Sequence, residues 1–378
     1  MTEPVKPAAP RLGSRRRLIL GGGAVVIVVL AVLGIRFWIS PLGPGLEEPA
    51  AVQHTQIIAT AVAQGTPLAT AIAAVLEPTA RAASVDSAAT QPPTPAVVQP
   101  TSDPNTEGSC GGPALMNVLM LGSDTRTNDY TSGRADFIRA MRVDFEHEAV
   151  RMLSIPRDLW VTIPGLSEHG IREARVNTAY SYGNYYNLPG GGPTLMANTL
   201  NQNLGLTFDH YLVVNFAAVE AGIDAIGGLD IDLPKDVDGT AQGLPYFRAG
   251  PNHMDGATLI EYIRIRYIDS DLYRIDRQNQ VLLALREKLL SPSLVPALPD
   301  LVAAMTDLIH TDMSPAQLST LVCLGRRVPL EEFESLKIGA TEVSPYTTDE
   351  GGQVLLPNFE AINVVLQAFL EPAGSQGN

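Results

Sequence analysis

Cysteine and histidine are scarce in this chain: two Cys and six His are scattered over 378 residues. That rules out a disulfide-dense scaffold and a four-cysteine zinc site, and it leaves little room for a histidine-based nucleophile or zinc centre. The glycines at 111–112, 190–192 and 227–228 do not make a dinucleotide fingerprint, and Walker A, GxSxG and HExxH patterns are absent. Positive charge is also in short supply. A net charge of −14 excludes a general nucleic-acid binder and makes any clustering of arginine informative. From Ser40 to Gly112 there is no Phe, Trp or Tyr, so that stretch lacks the means to build a core of its own.

What is present begins with an apolar run. Leu18–Ile35 carries no charge, follows Arg11, Arg15, Arg16 and Arg17, and is closed by Arg36 and the aromatic pair Phe37 and Trp38. About 18–20 apolar residues cross a bilayer, and a preceding Arg cluster stays cytoplasmic. The organisation expected is a cytoplasmic tail at 1–17, a single transmembrane anchor at 18–39, an extracytoplasmic linker at 40–112 and a folded domain at 113–372. Residues 91–104, QPPTPAVVQPTSDP, read as an extended tether, and the linker as a spacer holding the domain away from the membrane.

Within the domain, 114–121, 136–145, 150–155 and 159–163 read as strands, and three strand ends carry Asp/Arg pairs. Helices are expected at 175–182, 194–203, 216–226, 256–260, 298–310 and 314–326. Further strands are expected at 210–215, 229–233 and 333–339. Residues 182–192 and 236–251 read as loops. Alternating strands and helices give an α/β fold: a mixed sheet flanked by helices in an α-β-α sandwich.

The stretch 261–282, EYIRIRYIDSDLYRIDRQNQVL, organises the rest. Its first half alternates as a strand, placing Arg264 and Arg266 on one face. Its second half is helical, capped by Asp271, with Arg274 and Gln278 four apart and Ile275, Leu282 and Leu285 as the buried stripe. Forked guanidinium donors gathered in this way suit a phosphate or pyrophosphate.

Taken together the motifs are specific. Gly122-Ser123-Asp124-Thr125-Arg126, Arg134-x-Asp136, Ser154-Ile155-Pro156-Arg157-Asp158, Val176-Asn177-x-Ala179-Tyr180, Gly191-Gly192-Pro193 and Gly227-Gly228-Leu229-Asp230 occur in that order. Tyr262-Ile263-Arg264-Ile265-Arg266 and Asp271-x-x-Arg274-x-x-Arg277-Gln278 follow them. Over 114–290 the chain closely resembles the LytR–CpsA–Psr family of bacterial cell-wall glycopolymer ligases. The resemblance implies a membrane-anchored phosphotransferase that moves a glycopolymer from a polyprenyl-pyrophosphate carrier onto peptidoglycan, outside the cytoplasm. It implies a divalent metal, Mg²⁺ or Mn²⁺, at Asp124 and Asp136. Pyrophosphate contacts fall on Arg126, Arg134, Arg157, Arg264, Arg266, Arg274 and Gln278, with Asp158, Asp271 and Arg277 alongside. The chain departs from the family's pattern at Phe137, Arg139 and Tyr273.

Two other functions fit the same residues: a polyprenyl-pyrophosphate phosphatase, and a non-catalytic polyprenyl-phosphate binding protein. A purely structural reading makes Asp124 and Arg126 loop caps and Asp136–Arg157 an ion pair. The two cysteines, Cys110 and Cys323, are expected to pair and tie the C-terminal helices to the first strand.

Overall fold

The computed structural model describes residues 39–47, 108–125, 130, 132–265, 272–292, 294, 309–329 and 332–371. The expected transmembrane anchor, the bulk of the linker, the 298–308 part of the expected helix, and Arg126, Arg266 and Asp271 lie outside them.

After a short turn at Ser109–Gly111, three antiparallel strands run in sequence: β1 (Leu115–Ser123), β2 (Ala135–Asp144) and β3 (Ala149–Ser154). β4 (Trp160–Thr162) and β5 (Glu173–Arg175) form a small hairpin. Helices α1 (Thr178–Tyr185) and α2 (Gly191–Leu204) lead to β6 (His210–Asn215), which joins β1 in parallel. Helix α3 (Phe216–Ala225) starts at Asn215, whose side chain accepts the Ala218 N–H at 2.8 Å. β7 (Leu229–Leu233) pairs with β10 (Gly250–Met254), with a ribbon of β8 (Val237–Asp238) and β9 (Tyr246–Phe247) between them. Helices α4 (Gly256–Arg264) and α5 (Leu272–Leu289) follow. β11 (His310–Thr311), α6 (Pro315–Arg327), β12 (Phe333–Lys337), the hairpin β13 (Val343–Thr347) and β14 (Gln353–Pro357), and α7 (Phe359–Leu370) end the chain. The main sheet has the order β11-β6-β1-β2-β3-β12, mixed as expected.

Alternation along β1 and β2 sets the layers. Leu119, Leu121, Ile138 and Ala140 point to the face covered by α1, α2 and α7, where Tyr180, Met196, Leu366 and Phe369 complete a core. Met116 and Val118 point the other way, toward Leu318 and Leu324 of α6. A third cluster joins α3, α4, β7 and β10 through Ile223, Leu229, Met254, Leu259 and Tyr262. Cys110, in the turn before β1, is disulfide-bonded to Cys323 of α6, as expected, with 6.1 Å between Cα atoms.

Several expectations are corrected. Residues 261–264 are helical, not a strand. Asp255 caps α4 by accepting the Thr258 N–H at 2.8 Å, and Gly256, Leu259 and Ile260 bury at helical spacing. Over so few residues the alternating pattern fits both periods, and the cap decides. Tyr182–Tyr185 belong to α1, leaving a loop of only 186–190. Residues 236–251 contain β8, β9 and the start of β10. The start of the linker is no free spacer either. Leu42 donates its N–H to the Met313 carbonyl at 3.2 Å, and Leu46 packs on the core under α2.

Candidate active site

The site is built where β1 ends and β2 begins. Gly122 pairs with Phe137 and Ser123 with Ala135, so Asp136 has no partner on β1. This bulge turns the Asp136 carboxylate out of the ladder, the usual way a strand end re-aims a functional side chain. Gly122 is required there: a Cβ on it would lie 2.8 Å from the Phe137 Cβ. Gly133 is required in the connecting loop, because its φ of +93° favours glycine and a Cβ would lie 2.6 Å from Asp124 Oδ1. Asp124 and Arg134 then close the loop on each other. The Arg134 N–H donates to Asp124 Oδ1 at 2.8 Å, and the Asp124 N–H donates to the Arg134 carbonyl at 3.1 Å.

Around Asp136 the charges converge. Arg157, at the end of β3, donates to Oδ2; Arg274, on the first turn of α5, lies 3.7 Å from the same oxygen and donates to the Asp136 backbone carbonyl at 2.7 Å. Arg157 also reaches Asp158 at 3.4 Å, and Asp158 is shared with Arg175. Asn177, the residue before α1, donates Nδ2 to Asp136 Oδ1 at 3.2 Å. Its backbone is stitched to both strand ends, giving its N–H to Arg157 and accepting from Ala135. Asn177 had no role in the sequence reading, although it stands in the Val176-Asn177-x-Ala179-Tyr180 motif.

Asp124, Asp136, Arg264, Arg274 and Gln278 all line one cavity of about 780 Å³. The rest of its wall is almost wholly apolar, from Met120, Leu212 and Val214 on the sheet to Ile223 of α3, Ile263 of α4 and Leu285 of α5. Ile275 is buried as expected, while Leu282 and Leu285 form the cavity wall instead of a closed stripe. Arg264 reaches the site from the last turn of α4, its guanidinium 5.9 Å above the Phe216 ring. Arg134 is exposed and is not among the residues lining the cavity. Arg277 is buried away from the cavity and donates to the Ile265 carbonyl, so it holds the end of α4.

The two departures on β2 lie beside this cavity. Phe137 lines it, and Arg139 sits behind, fully buried, with its guanidinium 4.8 Å from the Phe137 ring centroid. Burial pulls the Arg139 pKa down to about 10.

Two carboxylates at one end of the cavity, all-oxygen donors beside a guanidinium cluster, fit Mg²⁺, which binds through one or two carboxylates and completes its shell with water and phosphate. No cluster of three or more His, Cys, Asp or Glu that could hold a metal ion is found among the described residues.

The sequence pattern of the LytR_cpsA_psr family matches residues 86–356. The chain belongs to the LytR–CpsA–Psr family. Among curated relatives, the Oceanobacillus iheyensis protein named polyisoprenyl-teichoic acid–peptidoglycan teichoic acid transferase TagU is 32% identical over 209 residues, 55% of this chain and 62% of that protein. The Staphylococcus aureus regulatory protein MsrR is 29% identical over 201 residues, 52% of this chain and 56% of that one. The match thus spans less than two thirds of either relative. The fold is that of solved members of the family. The B. subtilis TagV crystal structure superimposes with a TM-score of 0.56 at 24% identity, covering 68% of this chain and 98% of TagV. TagT bound to LI-WTA gives 0.55 at 24%, covering 71% and 99%.

Proposed function

We propose that the protein is a membrane-anchored phosphotransferase that attaches a polyprenyl-pyrophosphate-linked glycopolymer to peptidoglycan outside the cytoplasm. The observation that carries this is the single cavity, apolar along its length and ending in Asp124, Asp136, Arg264, Arg274 and Gln278. An isoprenoid tail with a pyrophosphate head has the same division. Burying one five-carbon isoprene unit is worth roughly 3–4 kcal/mol at ~0.8 kcal/mol per carbon. A charge-assisted contact to phosphate contributes about 1.5–3 kcal/mol. The tail therefore supplies most of the affinity, and the head is where binding energy is spent on chemistry.

The acceptor sugar hydroxyl attacks the phosphorus that carries the glycopolymer. A new phosphorus–oxygen bond forms, the bond to the second phosphate breaks, and polyprenyl phosphate leaves. Arg264 and Arg274, on the cavity wall, neutralise the charge that builds on the phosphoryl oxygens, while Arg157, outside that wall, fixes Asp136. Asp136 is held by two guanidiniums and an amide, so both of its oxygens are already engaged. Asp124, exposed and anchored through one oxygen by the Arg134 N–H, is the carboxylate able to take the acceptor's proton. A Mg²⁺ at Asp124 and Asp136, when bound, supplies further charge neutralisation at the pyrophosphate.

The name of TagU, a polyisoprenyl-teichoic acid–peptidoglycan teichoic acid transferase, supports this reading, and so does the disulfide, which suits an oxidising compartment. The test is the lipid that copurifies with the membrane-extracted full chain, identified by mass spectrometry. Polyprenyl phosphates are expected. Purification free of any polyprenyl lipid, with no binding when it is added back, would sink the proposal.

A further inference from the structure

The segment that follows the apolar run is not loose. Leu42 donates to Met313, just past β11, and packs into the apolar cluster that contains Met116 and Val118. Gly43 lies so close to β11 that a Cβ would sit 2.6 Å from the Thr311 carbonyl and 3.3 Å from the Tyr211 hydroxyl. Leu46 joins the core beneath α2, and the Glu47 N–H donates to Thr194 Oγ1 at 3.3 Å. Residues 39–47 thus run along the edge of the sheet. They begin beside the start of β6, where Asp312 accepts from the Tyr211 N–H, and finish at the first turn of α2. Gly108 and Ser109 are pinned again, the latter to the Phe145 carbonyl at 2.8 Å.

We propose that residues 39–47 are a strap that fixes the domain at a lipid bilayer, with the end of the sheet where β6 begins turned toward the lipid. The proposal rests on the membrane-anchor reading above. Chain reach carries it. Leu42 follows Ile35, the end of the apolar run, by seven residues, which at 3.3–3.6 Å each span at most about 25 Å. Residues 48–107, fully extended, would allow about 200 Å, but both ends of that segment are fastened to the domain. Its length therefore does not set the height of the site above the membrane.

The strap also places the cavity. Met120 and Leu212, neighbours in parallel register, line the cavity and belong to the same apolar cluster as Leu42. The apolar wall thus runs from the pyrophosphate end toward the end held near the bilayer, so a lipid-linked donor need not leave the membrane completely to be bound. Charge does not provide the attachment. Asp209, exposed at this end beside Asn117, repels anionic lipid, so the height is expected to be insensitive to salt.

The experiment uses the full chain in liposomes. Both native cysteines are in the disulfide, so a single new one at Val364, exposed on α7, takes a donor dye, and the bilayer carries an acceptor lipid. Energy transfer is expected to be unchanged when 48–107 is shortened by half and to be lost in large part in Gly43→Val. Leu42→Asp, which adds no bulk at Thr311, is the second strap variant. Hydrogen exchange of the Leu42 amide should be slow in the parent and fast in both variants. Transfer that follows linker length, or that survives loss of Leu42 protection, overturns the proposal. Failure of the full chain to float with liposomes removes the membrane-anchor reading and the strap's role with it.

Discussion

Asp136 and Arg157 form an ion pair that locks the start of β2 to the end of β3, and the Asp136 carboxylate in that pair is also part of the cavity wall. The contact is structural and site-forming at once. Metal-free carboxylate repulsion would predict that Asp136→Ala raises the melting temperature. The geometry predicts the reverse, because Arg157 and Arg274 are largely buried and both would lose a carboxylate contact, Arg157 keeping only the longer one to Asp158 among its named ion pairs. A cost of about 1.5–3 kcal/mol is expected for Asp136→Ala, and a smaller one for Asp136→Asn, which keeps an acceptor for the guanidiniums. Denaturant melts of both variants test this; equal stability of parent and Asp136→Ala would contradict it.

Arg264 behaves differently. It is exposed at the end of α4, with the Phe216 ring nearby. Replacing it by Lys keeps the charge and loses the fork. Transfer is expected to fall about tenfold or more, since a single electrostatic donor is worth ~10²–10³ in rate, while the melting temperature stays within error. A melt shifted by several degrees would instead mark Arg264 as structural.

The disulfide closes a loop of 213 residues between the turn before β1 and α6. Crosslinks of that kind contribute typically about 2–5 kcal/mol. Cys110→Ser/Cys323→Ser should therefore melt earlier yet keep its cavity. Non-reducing peptide mapping should show one crosslinked pair, and two free thiols would refute the pairing.

His310, on β11, is half-buried between Tyr130 and Tyr211, with Tyr211 Oη 3.3 Å from its Nε2. Burial holds its pKa below the ordinary value, against a weaker opposing pull from Asp312. The unfolded chain thus binds a proton near pH ~6.5 that the folded one resists. Its contribution to stability is complete above that pH and is lost as the pH falls below it. His310→Phe should flatten the loss of stability as the pH falls below about 6.5; an unchanged slope would assign it to other groups.

The Asp/Arg-bearing strand ends and the Arg274/Gln278 spacing were legible because both depend on local period, and local period is written in the residues. Asp136's outward turn was not, because a bulge is a property of register between two strands. Asn177 was hidden for a related reason: its role comes from three contacts that meet only after β2, β3 and α1 are packed. The reading of 261–267 as a strand shows the limit of alternation over a few residues, where one capping carboxylate at Asp255 outweighs the pattern. The strap at 39–47 was masked by its composition. Pro41, Gly43, Pro44 and Gly45 look like the rest of the linker, while Leu42 among them and Leu46 just after them do the packing.

The central claim is that one cavity holds a polyprenyl tail while its charged end transfers the glycopolymer. The most direct measurement incubates the purified full chain with a polyprenyl-pyrophosphate-linked oligosaccharide, peptidoglycan fragments and Mg²⁺, and follows both products by mass spectrometry. The account predicts a phosphodiester-linked conjugate and polyprenyl phosphate in equal amounts, with both lost in Arg264→Ala. Polyprenyl phosphate released without conjugate, or equal yields from parent and Arg264→Ala, would contradict it.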